Sequence, residues 1–362
     1  MRILVTGAGG LIGRELCGHL SDRGHGVIAV QHRNTALRRN DGRPVPASPW
    51  AGSPPGRGMV VTCAGDVSVA GLGLPDGLAP DLDLVVHCAA LTSFSLAETA
   101  YEAVNVRGTA NVLAFAGTVP VLHVSTAYVC GRRGGTVREG EGNAGHGFNN
   151  GYERSKAAAE ALTMAAHAEG RRVAIARPSI VVGDSQTGAV GVFGSIYALM
   201  RLVAEGRLRT LPAAPGATLD LVPIDHVIGG LTDIAEAMPG ASGRVFHLVS
   251  GNPVPVAALA GLAQHYPGLY APSLLLPADY SADALPPGER NLAGQVGGML
   301  DGYLQRDPRF KGGNLQALSG RRCPPTDGAF LRRLVDHCLA TGYLTNRRPA
   351  SAGHGLMEQM AV

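Results

Sequence analysis

TGAGGLIG, residues 6–13, directly follows a strand-like stretch at residues 2–5, of which 3–5 are apolar. It runs into residues 11–20, where apolar side chains recur at the spacing of one helix face. The glycines of this stretch therefore lie at a junction between a strand and a helix. A chain with 51 glycines contains many glycine trios, but a trio at this kind of junction is typical of a dinucleotide-binding turn.

Three glycines of the turn have predicted roles. Gly7 permits a tight turn, and Gly13 allows the helix to pack closely against the strand. Gly10 lets a pyrophosphate approach the backbone N–H groups at the helix N-terminus, where Leu11 and Ile12 begin the helix. The turn therefore predicts a bound dinucleotide.

Strand-like and helix-like stretches alternate over the first half of the chain. Further apolar strands are predicted at 26–30, 60–63, 82–87, 119–124 and 172–176, and further helices at 101–116 and 152–168. This alternation predicts an α/β fold with a doubly wound parallel sheet of the Rossmann type.

The order of elements changes in the second half. We expect a dinucleotide-binding core over 1–185 and a smaller, mostly helical substrate lobe over 186–348, interleaved with the last sheet strands at about 218–250. Residues 349–362 are predicted to form a tail. Within these parts, the proline-rich residues 40–58 are predicted as an irregular insertion, 177–179 as a loop and 190–211 as helical.

Composition argues against several classes of protein. With 31 basic and 28 acidic residues, the chain gives no reason to expect a nucleic-acid partner. The six cysteines show no C-x-x-C spacing, and no histidine pair has metal-ligand spacing, so we expect buried thiols and no metal site. No apolar run reaches about 18 residues, which predicts a cytoplasmic protein without membrane insertion.

A second motif predicts proton transfer. Tyr152 and Lys156 lie four residues apart in a predicted helix, so their side chains share a face. A phenol with a pKa of about 10 exchanges protons poorly at neutral pH unless a nearby cation favours the phenolate. Lys156 can supply that cation and can also bind a nicotinamide ribose. The alternative is an ordinary surface pair.

Thr126 adds a third element. It follows the strand predicted at 119–124, and therefore lies at the carboxyl edge of the sheet, where open α/β folds bind ligands. Its hydroxyl can bind a substrate oxygen that gains charge, together with Tyr152. The alternative is a hydroxyl that only caps the strand. We favour Thr126, Tyr152 and Lys156 as a catalytic set.

The residues after the second strand bear on the choice of cofactor. An acid there binds a ribose 2′-hydroxyl, whereas an arginine accommodates a 2′-phosphate. This chain reads QHR at 31–33, without an acid. Arg33 is therefore the predicted 2′-phosphate ligand, with Arg14, Arg38 and Arg39 as supporting candidates, and NADP(H) is the predicted cofactor.

Over about residues 1–250, these elements resemble the extended short-chain dehydrogenase/reductase family. In that family the segment that matches Gly65-Asp66-Val67 lies against the adenine, and the backbone that matches HCAA at 87–90 follows the cofactor. Asn105 matches an asparagine that braces helices. The resemblance implies cofactor contacts from Gly7, Gly10, Leu11, Ile12, Gly13, Arg33, Asp66, Val67, Ala89, Ala90, Asn105, Tyr152, Lys156, Pro178 and Ser179.

Four further stretches resemble the thioester reductase and fatty acyl-CoA reductase branch, the male sterility proteins, which includes enzymes of natural product biosynthesis. They are GLGL at 71–74, HVSTAYV at 123–129, NGY at 150–152 and RPSIVVGD at 177–184. The resemblance implies an oxidoreductase that uses NADPH to reduce an acyl thioester to an aldehyde, with an alcohol as a further product. The acyl group would arrive on a separate carrier protein or on coenzyme A, and the enzyme could form a homodimer.

Other interpretations stay open. A nucleotide-sugar epimerase or dehydratase, or a hydroxysteroid-type dehydrogenase, shares the same three residues and differs in the lobe. A non-catalytic NADP-sensing protein is a third option, although dinucleotide binding alone needs no proton donor. Residues 190–203 could line an acyl channel or pack in the core. Arg132, Arg133, Arg201 and Arg207 could face an acidic carrier protein, whereas His87, His123 and His226 are expected to be packed residues without a catalytic role.

Overall fold

A computed structural model describes residues 1–32, 37–75, 78 and 81–345. The predicted tail at 349–362 and Arg33 lie outside these residues. Among the helices that are described, none is both long and apolar enough to cross a membrane.

The strands and helices below are numbered in chain order. The strands are β1 (Arg2–Thr6), β2 (Gly26–Gln31), β3 (Ser48–Pro49), β4 (Val60–Ala64), β5 (Leu84–His87), β6 (Val121–Val124), β7 (Gly135–Arg138), β8 (Val173–Pro178), β9 (Ile180–Val182), β10 (Thr210–Pro212), β11 (Thr218–Leu219), β12 (Leu221–Pro223), β13 (Val245–Leu248), β14 (Val254–Pro255), β15 (Ser273–Leu275) and β16 (Pro308–Lys311). The helices are α1 (Leu11–Asp22), α2 (Glu98–Tyr101), α3 (Arg107–Ala116), α4 (Gly151–Ala168), α5 (Ser195–Ala204), α6 (Ile224–Glu236), α7 (Met238–Ala241), α8 (Val256–Leu262), α9 (Pro287–Gln295), α10 (Gly297–Leu300), α11 (Asn314–Ser319) and α12 (Gly328–Ala340). A π-helical turn, Glu102–Val106, joins α2 to α3.

The main sheet has eight strands in the described part of the chain, in the order β13-β8-β6-β5-β1-β2-β4-β3. Each pair of neighbouring strands in this sheet is parallel. The predicted α/β fold with a doubly wound parallel sheet is therefore confirmed. The chain begins in the middle of the sheet, builds one side through β2 and β4, and then returns to β5 on the other side of β1. This reversal opens a crevice at the carboxyl ends of the strands, where such folds bind ligands.

Alternation along the strands builds a core layer on each face of the sheet. On β1, Ile3 and Val5 face a layer that includes residues of α1 and α6, whereas Leu4 faces a layer that includes residues of α3. All three side chains have no exposed surface. Burial on both faces explains why the strands are almost uniformly apolar.

A third core cluster lies in the C-terminal part of the chain. It combines residues of α5, α8 and α12 with Tyr128 and Val137 from the first half. The parallel pairing of β16 with β7 joins the same two parts of the chain. The lobe therefore packs directly beside the segment that follows β6.

Three expectations from the sequence are wrong in detail. The loop at 177–179 does not form, because Arg177 and Pro178 still pair with β13 at the end of β8. The helix predicted over 190–211 is shorter, since Gly194 precedes α5 and Gly206 adopts a left-handed conformation with φ of +67° after it. The insertion at 40–58 contains β3, which adds an edge strand to the sheet beside β4.

Candidate active site

The glycine turn is too tightly packed for side chains at two of its positions. Gly7 has φ of +68°, and a Cβ atom there would lie 2.6 Å from the backbone nitrogen of Ala89. A Cβ atom at Gly13 would overlap the carbonyl oxygen of Gly7. The structure therefore places the turn, the start of α1 and the segment after β5 in direct contact.

The N-terminus of α1 fits a pyrophosphate. Gly10 caps the helix with an extended backbone and no side chain. The Arg14 N–H donates to the Gly10 carbonyl (3.1 Å) as the first bond of the helix. The N–H groups of Leu11, Ile12 and Gly13 consequently have no acceptor within the helix, and the helix dipole adds positive charge at the same point. These residues would hold the phosphates of a dinucleotide.

His87 holds the segment after β5 in place. Its Nδ1 lies 2.8 Å from the Thr6 hydroxyl and its Nε2 lies 3.1 Å from the Thr109 hydroxyl. The Thr6 hydroxyl also accepts a hydrogen bond from the Ala89 N–H, which leads into Ala90. Burial lowers the pKa of His87 to about 3, so the ring is neutral. His87 is thus a packed, hydrogen-bonded residue, as the sequence predicted.

The residues predicted at the adenine lie after β4. The Asp66 carboxylate accepts bonds from the Ser68 N–H (2.8 Å) and hydroxyl (2.7 Å), and lies 3.4 Å from His32 Nε2. Val67 is buried, and its carbonyl accepts a bond from the Asn111 amide (2.9 Å). His32 at the end of β2 and Asp66 after β4 therefore meet at the carboxyl edge of two neighbouring strands.

The three arginines predicted to support 2′-phosphate binding already form hydrogen bonds or ion pairs within the protein. Arg39 binds the carboxylates of Glu15 (3.2 Å) and Asp22 (2.6 Å). Arg14 donates to the Gly9 carbonyl (2.9 Å), and Arg38 donates to the Gly42 carbonyl (3.2 Å). Arg33, the main candidate, lies outside the described residues and stays a prediction.

Thr126 and Tyr152 meet at the end of β6. Thr126 lies two residues after the strand, Tyr152 lies in the first turn of α4, and the Thr126 hydroxyl is close enough to the Tyr152 phenol to influence its pKa. Burial raises the pKa of Tyr152 to about 12, although the Thr126 contact acts in the opposite direction. Tyr152 is therefore a neutral phenol at neutral pH.

Lys156 does not lower the pKa of Tyr152 in this structure, contrary to the expectation from the sequence. Its ammonium donates to the Val124 carbonyl (2.8 Å) and lies 3.3 Å from His123 Nε2. Burial lowers the pKa of Lys156 to about 8, although the Glu160 carboxylate acts in the opposite direction. Lys156 thus lies on the predicted face of α4 but binds the end of β6.

Sequence reasoning did not find the role of His123. It was expected to be a packed residue, and its side chain is indeed completely buried. Burial and the neighbouring Lys156 charge hold the pKa of His123 well below its usual range, so its ring is neutral and Nε2 can accept from the ammonium. The available signal was a histidine inside an apolar strand, three residues before Thr126.

Asn105 joins the cofactor side to α4. Its Oδ1 accepts from the Leu91 N–H (2.8 Å), and its Nδ2 donates to the Leu91 carbonyl (3.0 Å) and the Ser155 hydroxyl (2.9 Å). The Ser155 hydroxyl in turn donates to the Tyr152 carbonyl (2.8 Å). Asn105 therefore sets the distance between the segment after β5 and the first turn of α4.

The C-terminal lobe also contacts the first turn of α4. The fully buried Glu153 carboxylate accepts bonds from the Asn149 N–H (3.0 Å) and amide (2.8 Å). The Tyr303 phenol lies near this carboxylate, and burial together with the Glu153 charge raises the pKa of Tyr303 well above its usual range. The Tyr303 ring stacks on Phe94 at 5.4 Å between centroids, and Phe94 lies 6.0 Å from the Tyr152 ring. No sequence pattern links Tyr303 to Tyr152, which lies 151 residues earlier.

Pro178 and Ser179 lie where β8 leads into β9. The Ser179 hydroxyl donates to the buried Asp220 carboxylate, which also accepts from the Ser250 N–H (2.8 Å). Burial raises the pKa of Asp220, and these hydrogen bonds act against it. The hydroxyl and the backbone N–H of Ser179 therefore both have protein partners, since the N–H donates to the Leu248 carbonyl (3.2 Å), and a cofactor contact from Ser179 stays a prediction.

The model of the NAD-binding male sterility protein family matches residues 5–231. The chain belongs to the male sterility protein family. The family resemblance that the sequence predicted is thereby confirmed, and so is its class, the NAD(P)-dependent reductases of the extended short-chain dehydrogenase/reductase type.

Individual relatives of this male sterility family member include proteins that are named as reductases. Fatty acyl-CoA reductase 1 from Arabidopsis thaliana is 25% identical over 273 residues, which cover 58% of this chain and 55% of that protein. A 4-hydroxy-2-methyl-3-oxo-4-farnesyl-3,4-dihydroquinoline-1-oxide ketoreductase from Stigmatella aurantiaca is 29% identical over 276 residues, 75% of each chain. Five other relatives are far longer, and this chain spans between 6% and 19% of each.

A solved structure has the same fold over almost its full length. The terminal R domain from the myxalamid PKS-NRPS biosynthetic pathway superposes with a TM-score of 0.77 at 24% sequence identity. The match covers 95% of this chain and 91% of that domain. The C-terminal lobe is therefore part of a shared fold, whereas the family match ends within it, at residue 231.

Proposed function

We propose that the chain reduces acyl thioesters with NADPH, forming an aldehyde and, in a second reduction, an alcohol. The observation that carries the proposal is the proximity of the Thr126 hydroxyl to the Tyr152 phenol, at the carboxyl edge of the sheet, with Lys156 one turn further along α4 and bound to the end of β6. We also propose that residues 1–185 hold the cofactor and that residues 186–348 hold the acyl group.

The two hydroxyls can bind a carbonyl oxygen as it gains charge. The Thr126 oxygen accepts from the Tyr128 N–H (3.3 Å), which leaves its proton for donation, either to the Tyr152 oxygen or to a substrate oxygen between them. Tyr152 is protonated at neutral pH because burial raises its pKa to about 12, and it can therefore also donate. A pair of donors at the developing charge stabilises the transition state of hydride addition to a carbonyl. The bound NADPH would supply that hydride.

Tyr152 then supplies the proton. Transfer of its proton to the oxygen gives a hemithioacetal, and loss of the thiol from that species leaves the aldehyde. The resulting phenolate needs a nearby cation, and Lys156 lies one helical turn away on the same face of α4. Lys156 would stabilise the phenolate in this way once its ammonium has exchanged the Val124 carbonyl for the cofactor ribose.

A thioester suits this set of residues. Its carbonyl carbon is electrophilic and its thiolate leaves readily, so two oxygen-binding donors and a hydride are sufficient. In this proposal the acyl group arrives on coenzyme A or on a separate carrier protein. Arg133 and Arg201 already bind Glu141 (2.9 Å) and Glu205 (2.9 Å), so Arg132 is the better candidate for contact with an acidic carrier. A homodimer and a cytoplasmic location stay predictions.

The choice of NADPH depends on the absence of an acid at 31–33 and on Arg33. Dissociation constants for both cofactors test it. The unmodified protein should bind NADPH more tightly than NADH, and Arg33→Asp should weaken NADPH binding while NADH binding changes little. Equal or tighter binding of NADH by the unmodified protein would overturn this part of the proposal.

The activity is tested with purified protein, NADPH and acyl-CoA thioesters of several lengths. NADPH absorbance is followed, and products are identified by mass spectrometry. Aldehyde or alcohol formation from a thioester supports the proposal. Conversion of a nucleotide sugar or a hydroxysteroid, with no turnover of any thioester, would transfer the assignment to those enzyme types.

A second candidate, reduction of a ketone, is favoured by one relative. The quinoline-oxide ketoreductase from Stigmatella aurantiaca matches over three quarters of both chains, a better balance of lengths than fatty acyl-CoA reductase 1 offers. The same Thr126 and Tyr152 donors would bind a ketone oxygen, and no thiol would leave. A panel of apolar ketones in the same assay distinguishes the two, because a ketone gives a secondary alcohol and no free thiol.

A further inference from the structure

A nonpolar cavity of about 140 Å³ lies inside the C-terminal lobe. We call it the lobe cavity. It lies between α5, α8 and α12, and its lining includes Met200 and Val203 of α5, Leu259 and Ala260 of α8, and Leu334 of α12. The helix predicted as one wall of an acyl channel therefore does face a cavity.

Two of the three tyrosines that line the lobe cavity have hydroxyls in hydrogen bonds to other parts of the protein. The Tyr197 phenol oxygen accepts a bond from the Gly183 N–H (2.8 Å), and the Tyr266 phenol donates to Asp336 (2.8 Å). Both rings line the cavity, but their hydroxyls are used by other parts of the protein. What these two residues offer a ligand is the nonpolar surface of their rings.

The lobe cavity lies close to the proposed reaction site. Leu304 lines it and directly follows Tyr303, whose ring stacks on Phe94 beside Tyr152. Val182 also lines it and ends β9, which begins directly after Ser179. The aromatic pair of Phe94 and Tyr303 therefore contacts Tyr152 at one end and at the other adjoins, along the chain, a residue that lines the lobe cavity.

We infer that the lobe cavity binds the distal hydrocarbon end of an aliphatic acyl chain, and this inference rests on the proposed reduction of thioesters. A hydrocarbon chain gains free energy when it leaves water for such a lining. A peptidyl group would bury amide N–H and C=O groups without partners there, which is unfavourable. The volume is also similar to that of a nonpolar protein cavity of about 150 Å³ that binds benzene. The protein therefore selects aliphatic acyl thioesters over peptidyl thioesters.

Filling the lobe cavity tests this. Ala260→Phe adds a ring at the lining, and Leu276→Phe adds the same ring at a side chain that is 49% exposed and outside the lining. We expect Ala260→Phe to lower kcat/KM for dodecanoyl-CoA at least tenfold and to leave butanoyl-CoA unchanged. Leu276→Phe should change neither. An equal effect of Ala260→Phe on both thioesters, or no effect on either, would overturn the inference.

A second measurement does not depend on thioester reduction. Decanoic acid should raise the Tm of the unmodified protein and of Leu276→Phe, and should raise the Tm of Ala260→Phe much less, because only a ligand that binds the folded state stabilises it. The same increase in all three proteins would show that decanoic acid binds elsewhere and would overturn the inference. If decanoic acid binds as expected but no thioester is reduced, the proposed function fails and the lobe cavity remains a hydrocarbon site.

Discussion

The end of β6 with the first turn of α4, here called the catalytic edge, and the lobe cavity are both buried but differ in chemistry. At the catalytic edge several buried groups are polar and have particular partners: Lys156 binds Val124 and His123, and Glu153 binds Asn149. Around the lobe cavity the buried groups are mostly hydrocarbon and contact several neighbours without preferred direction. The first arrangement fixes individual atoms, whereas the second fixes only a volume.

This difference predicts how each region responds to substitution. Removing one member of a buried polar pair leaves its partner without a hydrogen bond, which costs more than the lost bond itself. Removing hydrocarbon leaves a space that neighbours can partly fill. Substitutions near the catalytic edge should therefore have large and specific effects, and substitutions around the lobe cavity should have graded ones.

The largest expected effect concerns Arg177, which lies in β8 next to the catalytic edge. Its guanidinium makes a two-point contact with Glu160 (2.6 and 2.9 Å), and both side chains are more than 90% buried. Arg177→Met should lower the free energy of unfolding by about 3–5 kcal/mol in urea titrations, because it leaves a buried carboxylate unpaired. The double variant Arg177→Met with Glu160→Gln should recover part of this loss, and a single-variant loss below about 1 kcal/mol would contradict the account.

Tyr152→Phe tests the catalytic edge itself. The ring stays and the proton donor is lost, so kcat should fall by roughly 100-fold or more, while the Kd for NADPH stays nearly constant. Steady-state kinetics and a cofactor titration measure both. Near-normal turnover by Tyr152→Phe would mean that a different residue supplies the proton.

Leu334→Ala tests whether the lobe cavity responds to substitution differently from the catalytic edge. Leu334 is about 95% buried and lines the lobe cavity. The substitution should cost about 2 kcal/mol in the free energy of unfolding, near the lower end for a buried leucine because the cavity already lies beside it. Turnover of butanoyl-CoA should change less than twofold in the folded variant. A large loss of kcat for this short substrate would mean that the two regions are not separable.

The pH dependence of cofactor binding tests Lys156. Its pKa in the free protein is about 8, below the ordinary 10.5, so the ammonium loses its charge as the pH rises above about 8. NADPH affinity should therefore be constant below pH 8 and should weaken above it, by up to about tenfold per pH unit. Lys156→Arg keeps its charge at these pH values and should remove the inflection. An inflection that persists in Lys156→Arg would assign the titration to another group.

Local patterns in the sequence predicted the catalytic edge better than its surroundings. The glycine turn and the Tyr152 and Lys156 spacing are short-range patterns, and the structure places each on the expected element. The contact of His123 with Lys156 joins residues on different elements, and Tyr303 comes from a distant part of the chain. Such contacts depend on how the lobe and sheet pack together, which neither spacing nor periodicity encodes.

The lobe cavity was predicted only in part, because its walls come from helices that are far apart in the sequence. An apolar stretch at 190–203 indicated a nonpolar wall, but the opposite walls come from α8 and α12. Apolar side chains of these helices are equally compatible with a filled core. Only the packed structure distinguishes a cavity from a core.

The most direct test of the central claim follows the hydride itself. The protein is incubated with NADPH that carries deuterium at the transferable C4 position and with dodecanoyl-CoA, and the products are analysed by mass spectrometry. The account predicts free coenzyme A together with dodecanal that carries one deuterium, and dodecanol that carries two, at the former carbonyl carbon, with none of these products formed by Tyr152→Phe at a comparable rate. Absence of deuterium from any aldehyde or alcohol, while the same preparation turns over a nucleotide sugar or a hydroxysteroid, would contradict it.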